Sequence, residues 1–347
     1  MTLKQKKKII FDIKKPPLII AEISANHCGS KSIFLKSIES AAKSGADLIK
    51  IQTYDEKDMV VNKGFKIKSG LWKNKNLYNL YKKAKTPYSW HADAFKLANK
   101  KNIILFSTPF SERAVDFLEQ FNPPLYKVAS FEITDLNLIN KIAKTKKLII
   151  ISTGLSDINE VKSAIRVINK YHNKIVILHC VSGYPTPIEE INLKRINYLR
   201  NKLSTNLIGL SDHTSGIEAA STASALGIVA IEKHFILNEK LKSPDSKFSI
   251  TPNKLKQLKV NVENSHKMIG LYRNIKQKAE IPSLIFRRSV FAIENINKGE
   301  KFSKKNTRCF RPRIGLPAEQ YLNILGKKSL KNINKHSVLK KTFISKS

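Results

Sequence analysis

Leu148-Ile149-Ile150-Ile151, then Ser152-Thr153-Gly154, then residues 157–171, then Ile175-Val176-Ile177-Leu178 make up one repeating unit of this chain. The two short runs are apolar and β-branched, as strands covered on both faces must be. Between them Val161, Ala164, Ile165 and Ile168 fall on one face of a 3.6-residue period, which predicts an amphipathic helix over 157–171. Working outward, similar runs recur at 18–23, 48–51, 103–106, 126–129, 207–210 and 228–231, with helix-like patterns between most of them. Eight β/α units in about 250 residues favour a closed (β/α)8 barrel over an open doubly wound sheet. The expected fold class is therefore α/β, a TIM barrel.

Composition narrows the rest. The chain has 347 residues and a net charge of +36, from 63 basic and 27 acidic side chains, yet 41% of it is hydrophobic. That apolar share supports a sizeable core and excludes disorder through low hydrophobicity. Thirteen Gly and thirteen Pro exclude collagen and Pro-rich low complexity. No run approaches the roughly 18 apolar residues that a membrane span needs, so no membrane partner is expected. The apolar start, Ile9-Ile10-Phe11, stops at Asp12, too short for a secretory signal. Cys28, Cys180 and Cys309 are odd in number and far apart, which points away from a disulfide framework and towards a cytoplasmic setting. The positive charge has two readings, a polyanion such as nucleic acid or a solvated lysine excess. Its scatter over short pairs and triplets, from Lys6-Lys7-Lys8 to Lys340-Lys341, favours the second, with no nucleic-acid partner.

Texture divides the chain into a barrel over 1–272, with its last helix ending near Tyr272, a basic linker over 273–285, and a small module over 286–347. The module is rich in short strands and turns, and about 60 residues is marginal for independent stability. Inside the barrel, 54–88 is a long polar connection with Gly64, Gly70 and Trp72; loops of that length are usually functional. It is expected over the barrel mouth.

Active groups of such barrels lie where strands end. Those ends carry Glu22, Ser24, Asn26 and His27; Lys50 and Gln52; Ser107 and Thr108; Lys127, Ser130 and Glu132; Ser152 and Thr153; His179, Cys180, Ser182 and Tyr184; Ser211, Asp212 and His213; and Glu232, Lys233 and His234. Two lysines among hydroxyls and tight turns suit a phosphate and a carboxylate; singly, each also reads as a snorkelling strand-end side chain. His213 and His234 on neighbouring strands suit a divalent metal, though each also reads as a structural histidine. Adjacent strand residues point apart, which argues against His179-Cys180 as a nucleophile pair.

At these rim segments the chain resembles the sialic acid synthases. The resemblance rests on 21–27 (AEISANH), Lys50-Ile51-Gln52-Thr53, Phe106-Ser107-Thr108-Pro109-Phe110, Tyr126-Lys127-Val128-Ala129-Ser130, Ile151-Ser152-Thr153-Gly154, Tyr184-Pro185-Thr186-Pro187, Ser211-Asp212-His213-Thr214 and Glu232-Lys233-His234-Phe235. Phe310-Arg311-Pro312 and Ile324-Leu325-Gly326-Lys327 resemble the antifreeze-like (SAF) domain that follows the barrel in that family. Segments such as Leu71-Trp72, 86–91, 130–135 and 244–249 are most similar to the pseudaminic acid branch.

The resemblance implies condensation of phosphoenolpyruvate with an amino-sugar aldehyde and water, giving a nine-carbon ulosonic acid and phosphate. It implies His213 and His234 as ligands of manganese or magnesium. Lys50, Lys127, Thr108, Ser130, Ser152, Ser182, Tyr184 and Ser211 would hold phosphoenolpyruvate. Glu22, Gln52 and Asp245 would face the sugar or the attacking water, Glu132 would join the substrate contacts, and either Glu22 or Asp245 would activate that water. Arg311 would reach from the SAF domain into the partner's barrel in a homodimer. Two positions depart from the family pattern: Ser182, where some members have Asn, and Arg313, where Gly is usual. Glu232 reads as a partner of His234 or as an ion pair with a barrel lysine. A basic polyanion binder and a catalytically dead barrel are the competing classes; the full set of rim residues argues against decay. Synthases of N-acetylneuraminate or legionaminic acid are the nearer alternatives.

Overall fold

The computed structural model describes residues 9–270 and 275–346. The chain forms two compact units, divided between residues 270 and 271. In the first, β1 (Leu18–Glu22), β2 (Leu48–Thr53), β3 (Ile104–Pro109), β4 (Leu125–Val128), β5 (Leu148–Ser152), β6 (Ile175–Cys180), β7 (Ile208–Asp212) and β8 (Ala230–His234) close into a barrel in chain order. Every neighbouring pair is parallel, and β1 meets β8 with Glu22 opposite His234.

The period of two sorts each strand into an outer and an inner face. Outward residues such as Ile19, Ile49, Ile149 and Ile177 pack in one core with helix residues such as Phe34, Ile38, Val161 and Ile168. Inward residues form a second, smaller core at the lower end: Ile20, Leu48, Phe106, Leu125, Ile150, Val176, Leu178 and Ala230. One step further up, the same inward face carries Glu22, Lys50, Thr108, Lys127, Ser152, Cys180, Ser211 and Glu232, all buried.

This explains why several strands run past the apolar stretches that announce them. The third and the last two reach Pro109, Asp212 and His234 rather than 106, 210 and 231. The polar residues stay in the hydrogen-bond ladder because the protein interior, inside the barrel or beneath its helices, and not solvent, receives them. The helix expected over 157–171 spans Ile158–Asn169, started by an Asp157–Glu160 capping box. The last helix of the first unit, Pro252–Ile269, ends before Gly270; Tyr272 lies outside the described residues, as does the Lys6–Lys8 run.

The 54–88 connection is a strap with two short helices, Glu56–Met59 and Leu77–Ala84, and a bridge between Lys66 and Asn76. It reaches the C-terminal side of the barrel, where the Trp72 indole N–H donates to the Pro244 carbonyl at 3.1 Å. On the outer face of the barrel, Lys233 pairs with Asp212 at 3.0 Å, both fully buried.

The second unit pairs β9 (Ser289–Ala292) antiparallel with β10 (Thr307–Phe310). Its own core is Val290, Ala292, Ile296, Phe302, Leu316, Ile324, Ile333 and Leu339. Arg313 does not take the positive φ that a glycine would allow; its N–H donates to Ile285 O at 2.9 Å and its guanidinium meets Glu319 at 3.1 Å. The Arg313 departure therefore introduces no left-handed backbone. No helix among the described residues is long and apolar enough to cross a membrane.

Gly209 on β7 leaves room where a side chain would collide: a Cβ there would sit 2.5 Å from Ala230 O and 2.6 Å from Leu178 Cδ2. Gly209→Ala is expected to destabilise the barrel by about 1–3 kcal/mol through overpacking, read as a melting temperature several degrees lower.

Candidate active site

Lys50 and Lys127 are the two cations of the barrel mouth, and both are almost wholly buried. Neither snorkels to water. Lys50 Nζ pairs with Glu22, lies 3.7 Å from Glu232 and donates to Thr108 Oγ1 at 3.2 Å. Lys127 Nζ donates to Ser152 Oγ at 2.6 Å and to Val128 O at 2.9 Å. Ser211 Oγ donates to Glu232 at 3.0 Å. Glu232 thus belongs to the lysines, and no contact joins it to His234.

Burial and charge set the protonation of this cluster. Burial pushes the Glu22 carboxyl up to about 7, although Lys50 opposes it. Burial lowers Lys127. Glu232 is held below its ordinary value because Lys127 and Lys50 together outweigh its burial. Lys50 stays above its ordinary value because Glu22 and Glu232 outweigh burial. Glu132, one turn beyond β4, is pushed up to about 7 by burial, and its Oε2 has no hydrogen-bond partner.

A cradle lies beside Lys127. The Gly154 N–H donates to Ser130 Oγ at 3.0 Å. A Cβ on Gly154 would overlap Ser182 Oγ and approach Ser130 Oγ to 2.8 Å. Glycine here lets two hydroxyls and a backbone amide crowd one spot, and the short Ser182 side chain is part of that crowding.

The two imidazoles form the other pole. His213, just after β7, and His234, ending β8, have ring centroids 5.4 Å apart. His213 Nδ1–H donates to Val181 O at 2.9 Å, so Nε2 is the nitrogen left without a proton when the ring is neutral. Burial lowers the His213 pKa, but Cys180 and the Val181 carbonyl outweigh burial and hold it above the ordinary value. His234 is lowered well below its ordinary value by burial and by the cations around it, so it is neutral. Its buried Nδ1 makes no hydrogen bond and lies 3.7 Å from Asp245 Oδ2. Two imidazoles whose neutral forms offer ring nitrogens fit a divalent ion. Among the described residues no third His, Cys, Asp or Glu completes a cluster, so other positions on such an ion would be open to water or substrate.

Asp245, in the loop after β8, accepts from Ala25 N–H at 3.3 Å; burial raises its carboxyl. Gln52 sits half-buried at the top of β2. Tyr184 packs against His213 at 4.4 Å between ring centroids and against Phe248 at 5.1 Å. The barrel therefore brings together fourteen of the expected residues. Arg311 is the exception, exposed in the second unit.

Sequence reasoning gave no site role to three residues that stand here. Cys180 Sγ lies 3.8 Å from His213 Nδ1, and despite burial that neighbour brings the thiol down to about 7. Phe248 stands 4.8 Å from the His234 ring, and Trp72 stands 5.5 Å from Tyr184. Cys180 was legible, since it shares the inward parity of Leu178. The two aromatics come from connections whose path no periodicity reveals. His179, by contrast, points outward, with Nε2 2.7 Å from Ile191 O.

Known proteins share this arrangement of chain. The profile of the NeuB family matches residues 37–274, and that of the SAF domain matches 287–344. The pseudaminic acid synthase of Campylobacter jejuni (serotype O:2) is 42% identical over 334 residues, covering 95% of this chain and 97% of that protein. That of Helicobacter pylori is 41% identical over 338 residues, covering 96% and 99%. The crystal structure of N-acetylneuraminic acid synthetase from Leptospira borgpetersenii, in complex with citrate, superposes with a TM-score of 0.70 at 30% identity, over 78% of this chain and 91% of that one. With its closed barrel, its buried lysines and a match over most of its length, the chain belongs to the NeuB family of sialic acid synthases.

Proposed function

We propose that this enzyme condenses phosphoenolpyruvate with a 2,4-diacetamido-2,4,6-trideoxyhexose of the altrose type and water, giving a pseudaminic-type nonulosonic acid and phosphate. The observation that carries the reading is the pair of buried ammonium groups, Lys50 and Lys127, set among hydroxyls beside the His213–His234 imidazole pair. The near-full-length likeness to two pseudaminic acid synthases supports the choice of sugar.

Lys50, Lys127, Thr108, Ser130, Ser152, Ser182, Tyr184 and Ser211 would seat the phosphate and carboxylate of phosphoenolpyruvate, where fixed donors in a dry site act strongly on anions. Gln52, Glu132 and Asp245 would orient the sugar. Manganese or magnesium held by His213 and His234 would supply Lewis-acid polarisation of the aldehyde oxygen. The enol C3 bonds to the aldehyde carbon, and that oxygen takes up a proton. Water adds to C2 and loses a proton to Glu22, whose carboxyl at about 7 is suited to exchange one near neutrality. The C2–O bond to phosphorus then breaks, phosphate leaves, and C2 becomes a ketone. Arg311 from a partner subunit would complete the sugar contacts in a cytoplasmic homodimer.

Phosphate release from phosphoenolpyruvate, measured with each candidate sugar, tests the reading. Turnover is expected with the 6-deoxy diacetamido sugar and far less with N-acetylmannosamine; the reverse order would reassign the substrate. Salt-steep DNA binding without phosphate release with any of these sugars would replace the reading by a polyanion binder.

Lys127→Met should lower kcat/KM for phosphoenolpyruvate by about 10²–10³, with the melting temperature unchanged or higher, because a buried cation is replaced by an apolar chain. His213→Ala and His234→Ala should each abolish turnover, and a chelator should do the same to the parent enzyme until Mn2+ or Mg2+ is restored. Full activity after chelation would remove the metal from the mechanism.

Glu132 makes a pH prediction. Its carboxyl titrates near 7 when folded against an ordinary 4.5, so the folded state keeps a proton that the unfolded state has lost between those values. Its contribution to stability therefore falls as pH rises from about 4.5 to about 7. Glu132→Gln should match the parent melting temperature near pH 5 and exceed it at pH 8, by the equivalent of about 1–3 kcal/mol.

A further inference from the structure

Trp72 belongs to the strap, far in sequence from every strand end, yet its ring packs on Tyr184 at 5.5 Å with a 43° tilt. Tyr184 in turn packs on His213, and Phe248 touches Tyr184, His213 and His234. Three aromatic rings thus form one continuous apolar wall that ends at the imidazole pair. Trp72 also lines a cavity of about 660 Å³, shared with Ala25, Asn76, Asn79, Lys242 and Pro244.

Its polar edge is also engaged. The indole N–H donates to the carbonyl of Pro244, the residue before Asp245. Asp245 is itself held by the Ala25 N–H, 3.7 Å from His234. One side chain closes the wall and pins the backbone beside a buried carboxylate.

We propose that Trp72 is a specificity-determining residue for the sugar. This rests on the reading given under Proposed function and deepens it. A hexose whose aldehyde carbon lies at the imidazoles extends along the ring wall. A C6 methyl and an acetamido methyl gain apolar contact there. A hydroxymethyl group at the same place would face aromatic carbon without a hydrogen-bond partner. The Trp72–Pro244 bond keeps the wall in place by fastening the strap to the loop that carries Asp245.

The test is steady-state phosphate release by the full chain, with KM determined for phosphoenolpyruvate and for the sugar separately. Trp72→Ala is expected to raise the sugar KM about tenfold while the phosphoenolpyruvate KM stays within about twofold. It should also narrow the preference for the 6-deoxy diacetamido sugar over N-acetylmannosamine by about tenfold. Trp72→Phe keeps a ring and should hold the sugar KM within about threefold of the parent. Trp72→Leu removes the flat ring but keeps apolar bulk, and should shift the sugar KM in the same direction as alanine; it carries the test if Trp72→Ala fails to fold. An unchanged sugar KM and preference in the ring-deleting variants, or a parallel rise in both KM values, would overturn the proposal. A parent enzyme that uses the deoxy sugar with such unresponsive variants sinks the role of Trp72 alone. A parent enzyme inert towards that sugar sinks the substrate reading with it.

Discussion

Lys50 and Lys127 hold their ammonium groups almost wholly out of water, Lys50 against Glu22 and Glu232, Lys127 against Ser152. A buried cation is tolerated only with compensation close by. Here part of that compensation comes from carboxyls that titrate near neutrality or are held ionised by the lysines themselves. The cluster is therefore able to exchange an internal anion for an external one. In the proposed reaction, an arriving phosphate or carboxylate would partner the lysines and leave Glu22 free to take up the proton that water gives.

The barrel makes this arrangement possible by separating two tasks along one strand face. Below, inward residues are apolar and fill the interior. Above, the next inward positions are charged or hydroxylic. Seven of the eight strands each place one such group at the mouth in register, as the pairing of Glu22 with Lys50 and with His234 shows. The polar layer rests on a packed floor, so its geometry is fixed by backbone hydrogen bonds rather than by the polar groups alone.

Much of this was legible in the sequence, because the period of two and the short apolar runs report directly on strands. Lys50, Lys127, His213 and His234 could be placed at strand ends from parity alone. What stayed hidden follows from path rather than period. Trp72 and Phe248 arrive from connections whose course depends on tertiary contacts. Glu232 reads in the sequence as a partner of His234 or as an ion pair with a barrel lysine, and the structure sets it 3.7 Å from Lys50. The apolar runs alone stop short of Pro109, Asp212 and His234, because the last residues of those strands are polar and yet buried.

The strap is clasped at its base. Lys85, near its end, grips Glu56 at 2.6 Å and Asp55 at 3.3 Å, near its start. His27 fastens the carbonyl of Ala84, and His91 fastens that of Pro87. A handle riveted at both feet does not swing like a door. Any passage beneath it must come from bowing of the span between, where Gly64 and Gly70 adopt left-handed φ with open space around them. Flexure of a closed hoop would then widen the mouth, and the indole bond to Pro244 and the Trp72–Tyr184 ring contact lie on the span that would bow.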